Sequence, residues 1–225
     1  MVTRMHPETR RRLRDEGGFT LVEFMIAAAI ATAVLGGTVV LATQMQQSYG
    51  TRLDRATVEE EARFALDWIA RVLRSAGSNP YSINTVACPT ASTAFQGIWL
   101  DPNGNGIDDD VRVQADINPP NGLLGSPAAG CTVQPGEDVT IAHDPVNLVI
   151  TRRDHSDDDV AQVMTDSVIT DLRFTYLNAA RAVTANPDAI VYVGVRVTGR
   201  SRAYDAFTGD FPTSTLDTEV RLRTR

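Results

Sequence analysis

The sequence predicts an α+β chain: a long N-terminal helix whose far half carries an antiparallel β-sheet. Three observations lead there. Phe24–Leu41 runs for 18 residues without a charge. From Ala62 to Ala76 the apolar residues recur at helical spacing. After Pro80, short runs alternate apolar and polar residues at every second position, separated by stretches rich in Gly, Pro, Asn and Asp.

The apolar run comes first in the chain. Its length is near the lower limit for a membrane-spanning helix, which needs about 20 apolar residues. Arg4, Arg10, Arg11, Arg12 and Arg14 precede it, and arginines stay on the cytoplasmic side, so the remainder is expected outside the inner membrane. An ordinary secretory signal would place small residues after the apolar run. Here Gly17 and Gly18 come before it. Cleavage there would remove the basic leader and leave the apolar helix on the mature chain. Glu23 sits at the edge of the apolar run, where a carboxylate is costly and points to function. Gly36 and Gly37 lower helix propensity within the run, by about 1 kcal/mol each relative to alanine. They fit either local melting or a small-residue packing face.

The helix is expected to continue. Ala62, Ala65, Leu66, Ile69, Val72, Leu73 and Ala76 follow one helical face, Phe64 and Trp68 widen it, and charged residues largely fill the rest. Gly77 and Pro80 supply the stop. One helix from about Thr20 to Ala76 would span on the order of 85 Å at 1.5 Å per residue. Four segments result: a leader over 1–18, an apolar helix over 19–46, an amphipathic half over 47–79 and a β-rich domain over 80–225.

Within that domain, strands are predicted at Val146–Arg153, Val168–Leu177, Ala189–Thr198 and Thr218–Arg223. Weaker ones are expected at Gly97–Leu100, Val111–Gln114 and Val139–Ala142. The amphipathic half of the helix is the available cover for their apolar face.

Gly17-Gly18-Phe19-Thr20-Leu21-Val22-Glu23 followed by an apolar helix resembles the signal of type IV prepilins. The resemblance is specific over residues 17–43. It implies a pilin-like fold. It also implies that a prepilin peptidase cuts between Gly18 and Phe19 and methylates the new amine of Phe19, and that Glu23 pairs with the N-terminal amine of a neighbouring subunit. Two opposite charges in an apolar bundle must meet or neutralise. The Glu59–Arg74 stretch with Ser75-Ala76-Gly77, the Ile150–Arg153 run and the terminal Val220–Arg223 resemble PilW-like minor pilins and, nearly as well, J-type pseudopilins of type II secretion. The role so implied is a minor subunit that helps initiate or cap a type IV pilus. The alternatives are a J-type pseudopilin or a pilus-associated adhesin presenting the loops of 101–137. The partners implied are the peptidase, other minor pilins, a major pilin and an inner-membrane assembly platform. The location implied is a single-pass inner-membrane protein with a periplasmic domain, later part of a filament at the cell surface.

The chain carries a net charge of −7. The leader holds five arginines against Glu8, Asp15 and Glu16, so the mature chain is near −9. A nucleic-acid footprint would be a basic face, and none is expected. Cys88 and Cys131 lie in the exported domain, where an oxidising compartment favours a disulfide worth roughly 3–4 kcal/mol; two buried thiols are the other reading.

In the segment Asp101–Asp110, Asp101, Asn103 and Asn105 fall at positions 1, 3 and 5 of an EF-hand-like loop, with Gly106 at position 6. Asp108, Asp109 and Asp110 could complete a calcium shell, but position 12 is Arg112 rather than a bidentate glutamate. An acidic asparagine-glycine turn remains the alternative. No cofactor is required by the reading, and calcium is the one candidate. The three histidines, His6, His143 and His155, form no catalytic motif along the chain, and no phosphate loop, nucleophile elbow or HExxH helix occurs. The expected role is structural, without catalysis.

Overall fold

The computed structural model describes residues 18–86, 93–205 and 208–223. Helix α1 is Leu21–Ser75. The strands are β1 (Thr85–Val86), β2 (Thr93–Ala94), β3 (Ile98–Leu100), β4 (Asp110–Gln114), β5 (Asp138–Asp144), β6 (Val149–Asp154), β7 (Ala161–Val163), β8 (Ile169–Leu177), β9 (Tyr192–Arg200) and β10 (Thr213–Arg221). A 3₁₀ turn, Pro187–Ala189, precedes β9.

By contacts the chain divides into two units, Met1–Tyr49 and Gly50–Arg225, with the boundary inside α1. In the first unit every described residue from 18 to 47 is exposed. The helix runs unbroken through Gly36 and Gly37. Its hydroxyls turn inward on the backbone: Thr32 donates to the Ala28 carbonyl at 2.7 Å, Thr38 to Leu35 at 2.8 Å and Thr43 to Val40 at 2.8 Å. These bonds satisfy the polar groups within the helix, as an apolar surrounding requires.

In the second unit the described strands form a five-stranded sheet, β3-β4-β5-β6-β7, a three-stranded sheet, β10-β9-β8, and the short pair β1-β2, all antiparallel. The single sheet expected from sequence is therefore divided. The break falls after β7, whose residues are all exposed. One apolar core joins the parts: Val58, Ala62, Ala65, Leu66, Ile69 and Leu73 of α1 pack with Val111, Val139, Ile141 and Ile150 of the larger sheet and Leu172, Phe174, Val193, Val195 and Val197 of the smaller. Each fully buried Leu, Ile or Val contributes about 1.5–3 kcal/mol relative to exposure. Phe64, expected on this face, is 46% exposed, while Trp68 and Val72 are partly buried against the core.

Strand β6 begins three residues later than predicted. Val146 and Leu148 lie in the β5–β6 turn, and Val149 is buried beside Ile150, the one apolar position of the alternation that enters the core. Local hydrogen bonding overrides the alternation: Asp144 accepts from the Val146 N–H at 2.9 Å, the Asn147 N–H at 3.0 Å and the Asn147 side-chain amide at 2.6 Å. Leu148 takes φ 57° to complete the turn.

The helix ends one residue before the expected Ala76, and Gly77 takes φ 74° beyond it. The Gly77 N–H donates to the Gln114 carbonyl at 3.0 Å, which ties the helix end to β4. Gly97 lies against this turn: a Cβ there would stand 2.5 Å from the Gly77 Cα. Replacing Gly97 with Ala must displace backbone, so we expect a loss of roughly 1–3 kcal/mol in urea unfolding of the second unit's signal. A Gly97→Ala variant as stable as the parent would show that this approach is not needed.

Asp54 makes a second link from α1. Its carboxylate accepts from the Ser201 hydroxyl, and from the N–H groups of Arg202 and Ala203 at 2.9 Å each. These bonds, the Ser201 hydroxyl first, hold its pKa below the ordinary carboxylate value. A group with a depressed folded pKa stabilises above its unfolded pKa, about 3.9, and that stabilisation disappears as pH falls through the folded value. Urea midpoints measured downward from about pH 6 should therefore fall more steeply below about pH 4 for the parent than for Asp54→Asn. Parallel curves would contradict the assignment.

Candidate processing and assembly site

Gly18, Phe19 and Thr20 precede the helix as exposed chain without regular structure. Gly17 lies outside the described residues. A Cβ built on Gly18 meets nothing within 4 Å, and its φ is not in the left-handed region. The fold itself therefore does not require glycine at 18. Phe19, whose amine would be freed by cleavage, is 86% exposed.

Thr20 and Glu23 form a reciprocal cap. The Thr20 N–H and hydroxyl donate to the Glu23 carboxylate at 2.9 Å each, and the Glu23 N–H donates to the Thr20 hydroxyl oxygen at 3.2 Å. This is the capping box of Ser/Thr-x-x-Glu, in which orphan backbone donors at a helix start are satisfied in pairs. Reading the sequence for a charge in an apolar run missed it, although Thr20-x-x-Glu23 was legible. Glu23 thus starts the helix within its own chain, one turn from the amine that cleavage would expose. Around it the apolar side chains of Leu21, Phe24, Met25 and Ile26 are exposed. α1 is long and apolar enough to cross a membrane.

The acidic loop is built by its own backbone. Asp101 accepts from the N–H groups of Asn105 at 3.0 Å and Gly106 at 2.8 Å. The Asn103 side-chain oxygen accepts from the Asn105 N–H at 2.9 Å, and that of Asn105 accepts from the Ile107 N–H at 2.7 Å. Asp110, the first residue of β4, accepts from the Asn103 N–H at 3.0 Å. Asp101, Asn103, Asn105 and Asp110 are therefore linked. Asp108 has an exposed side chain, and Asp109 touches the Asn105 amide at 3.4 Å. Burial, followed by the charges of Asp101 and Asp109, pushes the Asp110 pKa up to about 6. Among the described residues, no three His, Cys, Asp or Glu side chains form a ready metal cluster. Position 12, Arg112, is committed to Asp138 through two bonds of 2.6 and 2.7 Å.

Cys131 sits half-buried in the loop between β4 and β5, and Cys88 lies outside the described residues. That loop is organised by a carboxylate the sequence reading did not single out. Glu137, fully buried, accepts from the N–H groups of Ile117 at 3.2 Å, Asn118 at 3.0 Å and Gly125 at 2.9 Å. His143 is used structurally, its Nε2 lying 3.0 Å from the Ile169 carbonyl. His155 lies between Thr140 Oγ1, at 2.8 Å, and Asp159 Oδ1, at 2.6 Å. Asp159 is also held by Arg153 at 2.9 Å, and none of these residues lines the concavity beside Ser78, Asn79 and Phe95 or the one beside Glu61 and Met164.

The prokaryotic N-terminal methylation motif matches residues 13–39. With the apolar α1 and its cap, this motif supports a type IV prepilin-like protein. The motif implies processing by a prepilin peptidase and pilin-type assembly partners, and the apolar helix is consistent with membrane anchoring. No curated protein and no solved structure matches the chain.

Because Gly18 has open space around it, a bulky residue there should leave the fold intact yet block processing. A Gly18→Leu precursor should keep its full length on immunoblots beside the peptidase while its circular dichroism is unchanged. A leader-free product from this variant would refute cleavage after Gly18.

Proposed function

We propose that the chain is a minor pilin subunit that, after leader removal, helps initiate or cap a type IV pilus. The observation that carries this reading is the signal itself: Gly18, then Phe19 and Glu23, on a helix whose apolar half is exposed all round. In the proposed sequence, arginines hold the leader in the cytoplasm and the second unit lies in the periplasm. Cleavage frees the amine of Phe19. Apolar helices of several subunits then associate, and Glu23 exchanges its bonds to Thr20 for the amine of a neighbour. That exchange sets axial register, because an unpaired charge in an apolar bundle is strongly disfavoured. The partners in this proposal are the peptidase, other minor pilins, the major pilin and the inner-membrane platform. The role is structural rather than catalytic, and a Cys88–Cys131 disulfide steadies the exported unit.

The test is deletion of the gene, scoring sheared surface pili and secreted proteins in one strain. We expect pili to be lost and secretion to continue, with the parent gene restoring pili and Glu23→Ala failing to do so. Lost secretion with normal pili would instead make the chain a J-type pseudopilin. If both processes survive deletion, the assembly role is wrong.

A further inference from the structure

We propose that the loop Asp101–Asp110 is a calcium site in which Asp110 is the deep ligand, and that the ion fastens the start of β4 to both sheets. The proposal does not depend on the assembly role.

Two independent features meet here. One is the spacing of Asp101, Asn103 and Asn105 around Gly106, with oxygen donors at positions 1, 3 and 5 of a calcium loop. The other is Asp110, which that spacing does not include. The residue is 1% exposed, and one carboxylate oxygen accepts the Asn103 N–H, so the group faces the loop. The other oxygen, Oδ1, is buried without a hydrogen-bond partner. An unpaired buried carboxylate oxygen is costly, and a cation removes that cost.

Arg112 cannot act as the twelfth-position ligand, being cationic and paired with Asp138. Asp110, two residues earlier, supplies the closing carboxylate instead. The loop's existing bonds do not consume its donors: each carboxylate or amide oxygen carries two lone pairs, so Asp101, Asn103 and Asn105 can each hold an N–H and still face an ion. A mixed set of carboxylates and amide carbonyls on a flexible loop suits calcium better than magnesium, which demands tight octahedral geometry and keeps its waters. Few carboxylates on an open loop point to the weak class typical of extracellular modules, with a dissociation constant of about 10⁻⁴–10⁻³ M.

The backbone around the site gives the ion its structural effect. The Asp108 carbonyl accepts from the Phe174 N–H of β8 at 2.8 Å, and the Asp109 carbonyl accepts from the His143 N–H of β5 at 3.1 Å. The Asp110 carbonyl lies 3.4 Å from the Tyr176 hydroxyl. An ion fixing Asp110 therefore bears on strands of both sheets.

The experiment is thermal unfolding of the full chain in detergent, stripped with chelator and then given calcium chloride at constant ionic strength. At free calcium ten times the dissociation constant, the midpoint should rise by about 3–6 °C. Terbium added to the stripped protein should luminesce under aromatic excitation and be displaced by calcium. Asp110→Asn keeps the shape and the bond to Asn103 while removing the buried charge. It should melt in chelator at or above the parent's midpoint, yet lose the calcium shift and the terbium signal. No shift and no luminescence from the parent would overturn the proposal, as would a full shift from Asp110→Asn. If that variant does not fold, Asp101→Asn decides: loss of the shift supports the site and its retention overturns it.

Discussion

The apolar stripe of α1 from Val58 to Leu73 must be covered, and both larger sheets are built around that need. Ala62, Ala65, Ile69 and Leu73 are fully buried. Gly199 of β9 lies against the start of the same stripe, where a Cβ would stand 2.5 Å from a Val58 methyl. The sheets meet each other through the same core. Ile169 donates its N–H to Leu148 of the β5–β6 turn at 2.9 Å, and Phe174 donates to Asp108 before β4. Without the helix, both sheets lose the cover that Val58, Ala62, Ile69 and Leu73 give their shared core.

Buried acids do much of the work that regular structure does not reach. Glu137, Asp116 and Asp154 are almost wholly buried, and each accepts from backbone N–H groups of irregular chain. A carboxylate taking two or three N–H bonds satisfies donors that would otherwise be orphaned in a long loop. Asp138 follows another route, closing a two-pronged pair with Arg112, whose guanidinium also lies over the Trp99 ring at 5.9 Å. Asp110 differs from these: one of its oxygens has a donor and the other has none.

The first unit follows a different rule. Its apolar residues are exposed on all sides, and its hydroxyls bond back to its own carbonyls. A helix of that kind is complete only in an apolar medium, either lipid or a bundle of its own kind. Glu23 is the exception, and the capping box keeps its carboxylate bonded within a single chain.

The sequence by itself determined the processing signal, the division of α1 into apolar and amphipathic halves, and the inward faces of β8 and β9. Leu172, Phe174 and Tyr176, and Val193, Val195 and Val197, are buried as their alternation predicts. All of these are local: period, capping and charge-free length are read within a few neighbours. Tertiary structure decided what joins residues far apart in the chain. It placed Asp54 against Ser201, 147 residues away, and paired Arg112 with Asp138, 26 away. It also left Phe64 outside the core and buried Asp109 and Asp110 at the end of a largely exposed acidic loop. No pattern along the chain encodes those outcomes, because burial depends on which distant elements arrive to exclude water.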